Sequence, residues 1–262
     1  MIYDIRTPQS AQKTLFDATG IPFYTWNLIE KKPDEYDDDY VEMVIKEKGK
    51  HLIQFRDFEI VFMHITTSAE NCQSILQHGL LDLQQSYSNT DSELRRFLDS
   101  YDIKIDLDSS SLKYKGKTYD ITYTYGKKGW NLTDKEEACW LIGRKFYYDY
   151  CVCGFLSVRD TPYGGYVHRR PEILYNIDEL LGLDISRQWE ETHKTFAINA
   201  IITSDKIVVD EDRSDYERTI DYLTKAYYIA TGAPSEEIVL LKNGENVLPD
   251  KIIGIKEFED WN

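Results

Sequence analysis

Four times along the chain a Ser or Thr stands three residues ahead of a Glu: Thr67/Glu70, Thr90/Glu93, Thr133/Glu136 and Ser214/Glu217. At that spacing the hydroxyl accepts from a backbone N–H one turn on and the carboxylate reaches back to the cap, so each pair marks a helix start. The first helix is expected to open at Thr67 and close at Gly79, and the others to span 91–100, 134–148 and 215–230. A short helix over 11–18 is closed by Gly20. Between these lie β-branched and aromatic runs at 58–65, 151–158, 196–203, 206–209, 237–242 and 251–258, which read as strands. The stretch 103–125, with a turn at Lys115-Gly116, reads as a hairpin, and Lys242-Asn243-Gly244 as the turn between the last two strands. Strands joined by hairpins and interspersed with helices place the chain in the α+β class, not a regular βαβ winding.

The length of 262 residues accommodates one domain, 58–262, with an N-terminal extension, 1–57, packed on its core. Runs such as 196–202 and 238–241 are strand-sized, so no membrane span is expected. The N-terminus lacks the basic and apolar regions of a signal peptide, and a cytoplasmic location is expected. The formal charge of −15 means that counterion release at nucleic-acid phosphates is gained only where cations cluster locally. Two clusters qualify: His168-Arg169-Arg170 and Lys113-Tyr114-Lys115-Gly116-Lys117. Cys151 and Cys153 share one face of a strand, but no second ligand pair follows, so buried free thiols and no metal are expected. The acidic run from Asp34 to Asp39 lacks the Gly and terminal Glu of a calcium loop and reads as a solvated loop or a helix start.

Two places carry candidate chemistry. In His64-Ile65-Thr66-Thr67-Ser68-Ala69-Glu70-Asn71 an imidazole ends a core strand beside hydroxyls and a helix start, an arrangement that offers donors to a polar ligand. The alternative is a buried histidine satisfied by a backbone carbonyl. In Pro234-Ser235-Glu236-Glu237-Ile238-Val239-Leu240-Leu241 a carboxylate pair opens an apolar strand; alternation sets Ser235 and Glu237 on one face and Glu236 on the other. A glutamate entering a core strand is costly unless paired or functional, the alternative being a solvated edge position.

Together the two places resemble the ADP-ribosyltransferase family, and among its members the DNA-modifying toxins of the DarT type. His64-Ile65-Thr66, then Asn71, then Ser74-Ile75-Leu76-Gln77-His78-Gly79-Leu80 is similar to the family's opening motif, with one extra residue before Asn71 and Cys72 where Leu is usual. Glu237-Ile238-Val239-Leu240, followed by Val247-Leu248-Pro249-Asp250-Lys251-Ile252-Ile253, resembles its closing motif. Tyr150 to Arg159 matches, by position only, the segment carrying the toxins' arginine. The likeness covers about two thirds of the chain; 1–57 has no counterpart in it.

The resemblance implies a split antiparallel β-sheet core with flanking helices and NAD as substrate. It assigns Glu237 and Arg159 to catalysis, and His64, Thr66, Asn71, Tyr163 and Tyr166 to the cofactor. The nicotinamide-stacking tyrosine is open among Tyr163 and Tyr166 after Arg159 and Tyr147 and Tyr148 before it. The Gly-Gly loop of Thr161-Pro162-Tyr163-Gly164-Gly165-Tyr166 is either a target-contacting loop or an ordinary turn. The acceptor would be a macromolecule, nucleic acid or protein, as for a toxin or phage-defence effector, and a neutralising antitoxin partner would be expected. An NAD glycohydrolase, or a binding module of the same fold without catalysis, is the alternative.

Overall fold

In the computed structural model the described residues are 1–26, 28, 36–124, 126, 132–157, 169–233 and 237–257. In chain order they form β1 (Ile2–Tyr3), α1 (Pro8–Thr19), α2 (Phe23–Trp26), α3 (Asp37–Lys48), β2 (Glu59–Ser68), α4 (Gln73–His78), α5 (Leu83–Ser88) and α6 (Glu93–Ser100). Then come β3 (Lys104–Asp106), β4 (Ser111–Tyr114), β5 (Lys117–Asp120), α7 (Asp134–Tyr147), β6 (Cys153–Ser157), α8 (Glu172–Leu181) and α9 (Ile185–Thr192). The last elements are β7 (Lys194–Thr203), α10 (Asp215–Ala230), β8 (Glu237–Leu240) and β9 (Ile252–Glu257).

The larger sheet has the order β8-β6-β2-β7-β9, antiparallel throughout, with β1 added parallel to the start of β2. The fold is therefore α+β, helices with antiparallel sheet. Alternation along β2 and β7 sends Ile60, Phe62, Ile198, Ala200 and Ile202 into one core, which α1, α3 and α10 also line. A second core joins α5, α6, α7, α8 and α9 to the small β3-β4-β5 sheet, with Leu98, Ile142, Phe146 and Trp189 among its buried side chains.

Two capping boxes form as expected, Thr133/Glu136 and Ser214/Glu217. Two do not. β2 runs on to Ser68, so Thr67 is a strand residue and the helix opens only at Gln73, after Asn71 and Cys72 in left-handed backbone. Ser92, not Thr90, caps α6: its hydroxyl accepts from the Arg95 N–H at 3.1 Å. The β4–β5 hairpin turns at Lys115-Gly116, but β8 and β9 lie on opposite edges of the large sheet, not in a hairpin. In place of a strand over 206–209 there is a 3-10 turn, Ser204–Lys206, and a single bridge from Ile207 to Leu241. Asp37, Asp38 and Asp39 make the first turn of α3, where the helix dipole favours them.

Candidate functional site

β2 stays paired with β7 from Glu59/Thr203 to Ser68/Lys194, whereas its ladder with β6 holds the single pair Met63/Phe155. Beyond that pair β2 and the approach to β6 part, and a cavity of about 310 Å³ lies between them. His64, Thr66, Thr67 and Ser68 form one wall; Tyr150, Cys151 and Val152 face them. Gly154 makes the close approach at the base of the split. A Cβ there would fall 2.3 Å from the Phe62 ring, so a larger residue would force the two strands apart.

His64 Nδ1 lies 2.7 Å from the Cys153 carbonyl oxygen. A carbonyl only accepts, so Nδ1 carries the proton and Nε2 of the neutral ring is left as an acceptor. Burial pulls the His64 pKa below its ordinary value of 6.5, against the opposing pull of that carbonyl. The imidazole is thus satisfied by a backbone carbonyl and also forms part of a cavity wall.

The wall is braced from behind. Ser68 Oγ accepts from the N–H groups of Glu70 (3.1 Å) and Cys72 (2.8 Å) and donates to Glu93 at 2.5 Å. The other Glu93 oxygen takes the Ala69 N–H at 2.7 Å. Trp189 on α9 donates its indole N–H to Thr67 Oγ1 at 2.8 Å and stacks on His193 at 3.5 Å, whose Nε2 is 3.5 Å from Glu93. Neither Glu93 nor Trp189 stood out as a site residue in the sequence, because their partners are 25 and 122 residues away. Asn71 is exposed in the turn and is not among the residues lining the cavity.

Glu237 opens β8, opposite Ser157 on β6. Ile238 and Leu240 face solvent, whereas Glu237 is half-buried and Val239 fully so, which places the carboxylate on the inner side of its strand. It lies 3.8 Å from Lys225 on α10. After burial itself, its charge is among the causes that raise the pKa values of Tyr3 and Tyr222. Glu237 does not line the cavity at His64. Counting two strand spacings across and two residues along, their Cα atoms are about 12 Å apart. Ser157 instead lines a second cavity of about 420 Å³, on the other sheet face with Met63, Phe155 and Asn199.

Of the tyrosines before β6, Tyr147 donates to the Leu107 carbonyl at 2.9 Å and Tyr148 packs beside Tyr123; Tyr150 is the one lining the cavity. Arg159, Tyr163 and Tyr166 lie outside the described residues, as do the 161–166 loop, His168, Ser235 and Glu236. The thiols are not uniformly buried: Cys72 is, Cys139 and Cys151 are partly so, and Cys153 is exposed. Among the described residues no group of His, Cys, Asp or Glu could hold a metal ion, and no helix is long and apolar enough to cross a membrane. Neither family models, nor curated proteins, nor solved structures match the chain.

The lowered pKa of His64 has a consequence for stability. Just below pH 6.5 the unfolded chain binds a proton at residue 64 that the folded chain refuses. Stability present at neutral pH is therefore lost as pH falls through that window, and His193, lowered mainly by burial, acts in the same sense. Denaturant titrations at pH 7.5 and 5.5 should show a smaller acid loss in His64→Gln than in the unmodified protein. An identical loss in both would place the effect elsewhere.

Proposed function

We propose that the chain is an NAD-consuming ADP-ribosyltransferase of the ADP-ribosyltransferase-like split-sheet fold, acting on a macromolecular acceptor. The observation that carries this reading is the split of β2 from β6, with an acceptor imidazole on its lip and the strand of Glu237 just across β6. The volume beside His64 admits a nucleoside-sized group. A bound dinucleotide would place one ribose against His64 and Thr66, with a ribose hydroxyl donating to Nε2, and cross β6 toward Glu237. Tyr150 would offer a ring to the part held in the split.

Cleavage of the nicotinamide–ribose bond builds positive charge on the ribose, as in glycoside cleavage. A carboxylate held beside that sugar stabilises the charge as it forms. Glu237 fits that role, and after nicotinamide leaves, its second task is to take the proton of the attacking acceptor group. His64 acts by orientation, fixing the far ribose so that the reacting carbon meets the carboxylate.

His64→Ala should therefore raise the Michaelis constant for NAD by at least about tenfold with a smaller change in turnover. In the unmodified protein that constant should stay level through pH 6.5 and rise only at lower pH, once the lowered pKa of the folded His64 is passed and the protonated ring no longer accepts. Following nicotinamide release with and without a lysate treated with nuclease or protease tests the whole reading: it separates transfer from hydrolysis and names the acceptor class. Absence of both NAD binding and nicotinamide release would remove the reading.

A further inference from the structure

The sheet face turned away from His64 carries a polar side chain at its centre. Asn199 sits in the middle of β7, paired on one side with Met63 of β2 and on the other with Gly254 of β9. An amide is depleted at such a position, and it costs free energy there when its water is stripped without replacement. Asn199 is half-buried, and its amide has no hydrogen-bond partner among the described residues. Two backbone features meet it at the same point. The β7–β9 ladder slips by one residue between Asn199 and Ala200, and the neighbour on β9 is a glycine, where a Cβ would meet the amide at 3.8 Å. Bulges and strand glycines recur where a side chain is re-aimed or a ligand approaches a sheet. In register beside Asn199 lie Met63 and then Phe155, both half-buried and neither part of either core. All three line the cavity of about 420 Å³ on this face.

We propose that this cavity binds an uncharged adenine nucleoside, at a site separate from the split and independent of whether the split takes NAD. The Phe155 ring and the Met63 thioether form an apolar floor on which a flat base stacks. Asn199, at the edge of that floor, supplies a donor and an acceptor side by side, the pattern that pairs with the N6 amine and N7 of adenine. The volume admits a nucleoside. Charge decides against a phosphate. Among the described residues lining the cavity only Arg6 and Asp4 are charged, and they neutralise each other through two bonds, Nε to Oδ1 at 3.0 Å and Nη2 to Oδ2 at 2.7 Å. Arg6 Nη1, which Asp4 leaves unused, is a donor for sugar oxygens. The start of α1, also in the cavity wall, is closed by its own capping box: Thr7 Oγ1 accepts from the Ser10 N–H and Ser10 Oγ from the Thr7 N–H. Met63 and His64 are consecutive in β2 and point to opposite faces, so a ligand on this floor does not touch the His64 wall.

The test is calorimetric titration of the full chain with adenosine, AMP, guanosine and thymidine. Adenosine should bind at least about tenfold tighter than guanosine or thymidine, the discrimination that a bidentate amide–base pair gives, and tighter than AMP. Asn199→Leu keeps the side chain's size and removes that pair; it should weaken adenosine binding at least about tenfold. Phe155→Leu, which removes the stacking ring, should weaken it by a similar factor. Melting curves certify both variants as folded. The loss caused by Asn199→Leu should be the same when His64 is also replaced by Ala. A loss that disappears in that double variant would put adenosine in the split and overturn the separate site. AMP binding as tight as adenosine overturns the uncharged class. Equal binding of the three nucleosides, or undiminished adenosine binding in a folded Asn199→Leu, overturns recognition by the amide. No adenosine binding at millimolar concentration removes the site and leaves the NAD reading standing.

Discussion

Glu237→Ala is expected to slow NAD turnover by at least about a hundredfold, the usual loss when one preorganised electrostatic contact to a transition state is removed. The fold should survive. Glu237 is half-buried, its ion pair with Lys225 is long at 3.8 Å, and Lys225 keeps Asp221 at 3.0 Å when the glutamate is gone. Partly exposed pairs of this kind are worth about 0–1 kcal/mol, so melting should move by only a few degrees. Glu237→Gln separates charge from shape: it retains the side chain's size and a hydrogen-bonding oxygen but not the negative charge. If charge stabilisation is the role, Gln should be nearly as slow as Ala. A Gln variant near full activity would assign Glu237 to positioning, and an Ala variant at the unmodified rate would exclude it from the chemistry. Binding of NAD should persist in both, because the contacts assigned to affinity lie at His64 and Thr66 in the split.

How much of this was legible in the sequence differs between the strands and the site. The β-branched runs around 58–65 and 196–203 correctly announced β2 and β7, since both strands bury one face in a common core and their pattern is local. The strand order was not legible, because β8 and β9 are consecutive in the chain yet occupy opposite edges. Cap signals worked where the hydroxyl was free to turn inward, at Thr133 and Ser214, and failed at Thr67, whose hydroxyl is taken by the Trp189 indole. That is a tertiary contact overriding a local preference. Helices α8 and α9 carry little local signal although Ile185 and Trp189 recur at helical spacing, because both are short and neither has a side-chain cap.

The candidate site was half legible for the same reason. His64 and Thr66 could be picked out as a polar pair in a core strand, and both do line the cavity, although the strand runs on past them to Ser68. Its other side was hidden: Glu93 read as a helix residue paired with Thr90, whereas its oxygens bind Ser68 and Ala69 on the β2 side. Tyr150 is not distinguished in the sequence from Tyr147 and Tyr148, since only the departure of β6 from β2 decides which tyrosine meets the opening.

Deleting residues 1–57 is expected to abolish folding altogether, an outcome the word extension does not suggest. The segment is continuous with the core. β1 lies beside Glu59 and Ile60, on the side of β2 that β6 occupies further along. Tyr3 stacks on Phe58 at 5.4 Å, and its hydroxyl donates to the Tyr222 carbonyl at 2.8 Å. Ile5, Leu15, Trp26, Tyr40, Val41 and Val44 are each at most 1% exposed within the same core as Phe62 and Ile198. At about 1.5–3 kcal/mol for each such side chain, their combined loss is as large as the about 5–15 kcal/mol that holds a domain folded. Residues 58–262 expressed alone should be insoluble, or lack a cooperative thermal transition. The milder Tyr3→Phe removes one buried hydrogen bond while the Tyr222 carbonyl stays within the α10 ladder, a cost of about 0.5–1.5 kcal/mol read as a lower denaturation midpoint with unchanged slope. A truncated chain that melts cooperatively would make residues 1–57 an appendage, and β2 would then have to hold its place in the sheet without β1.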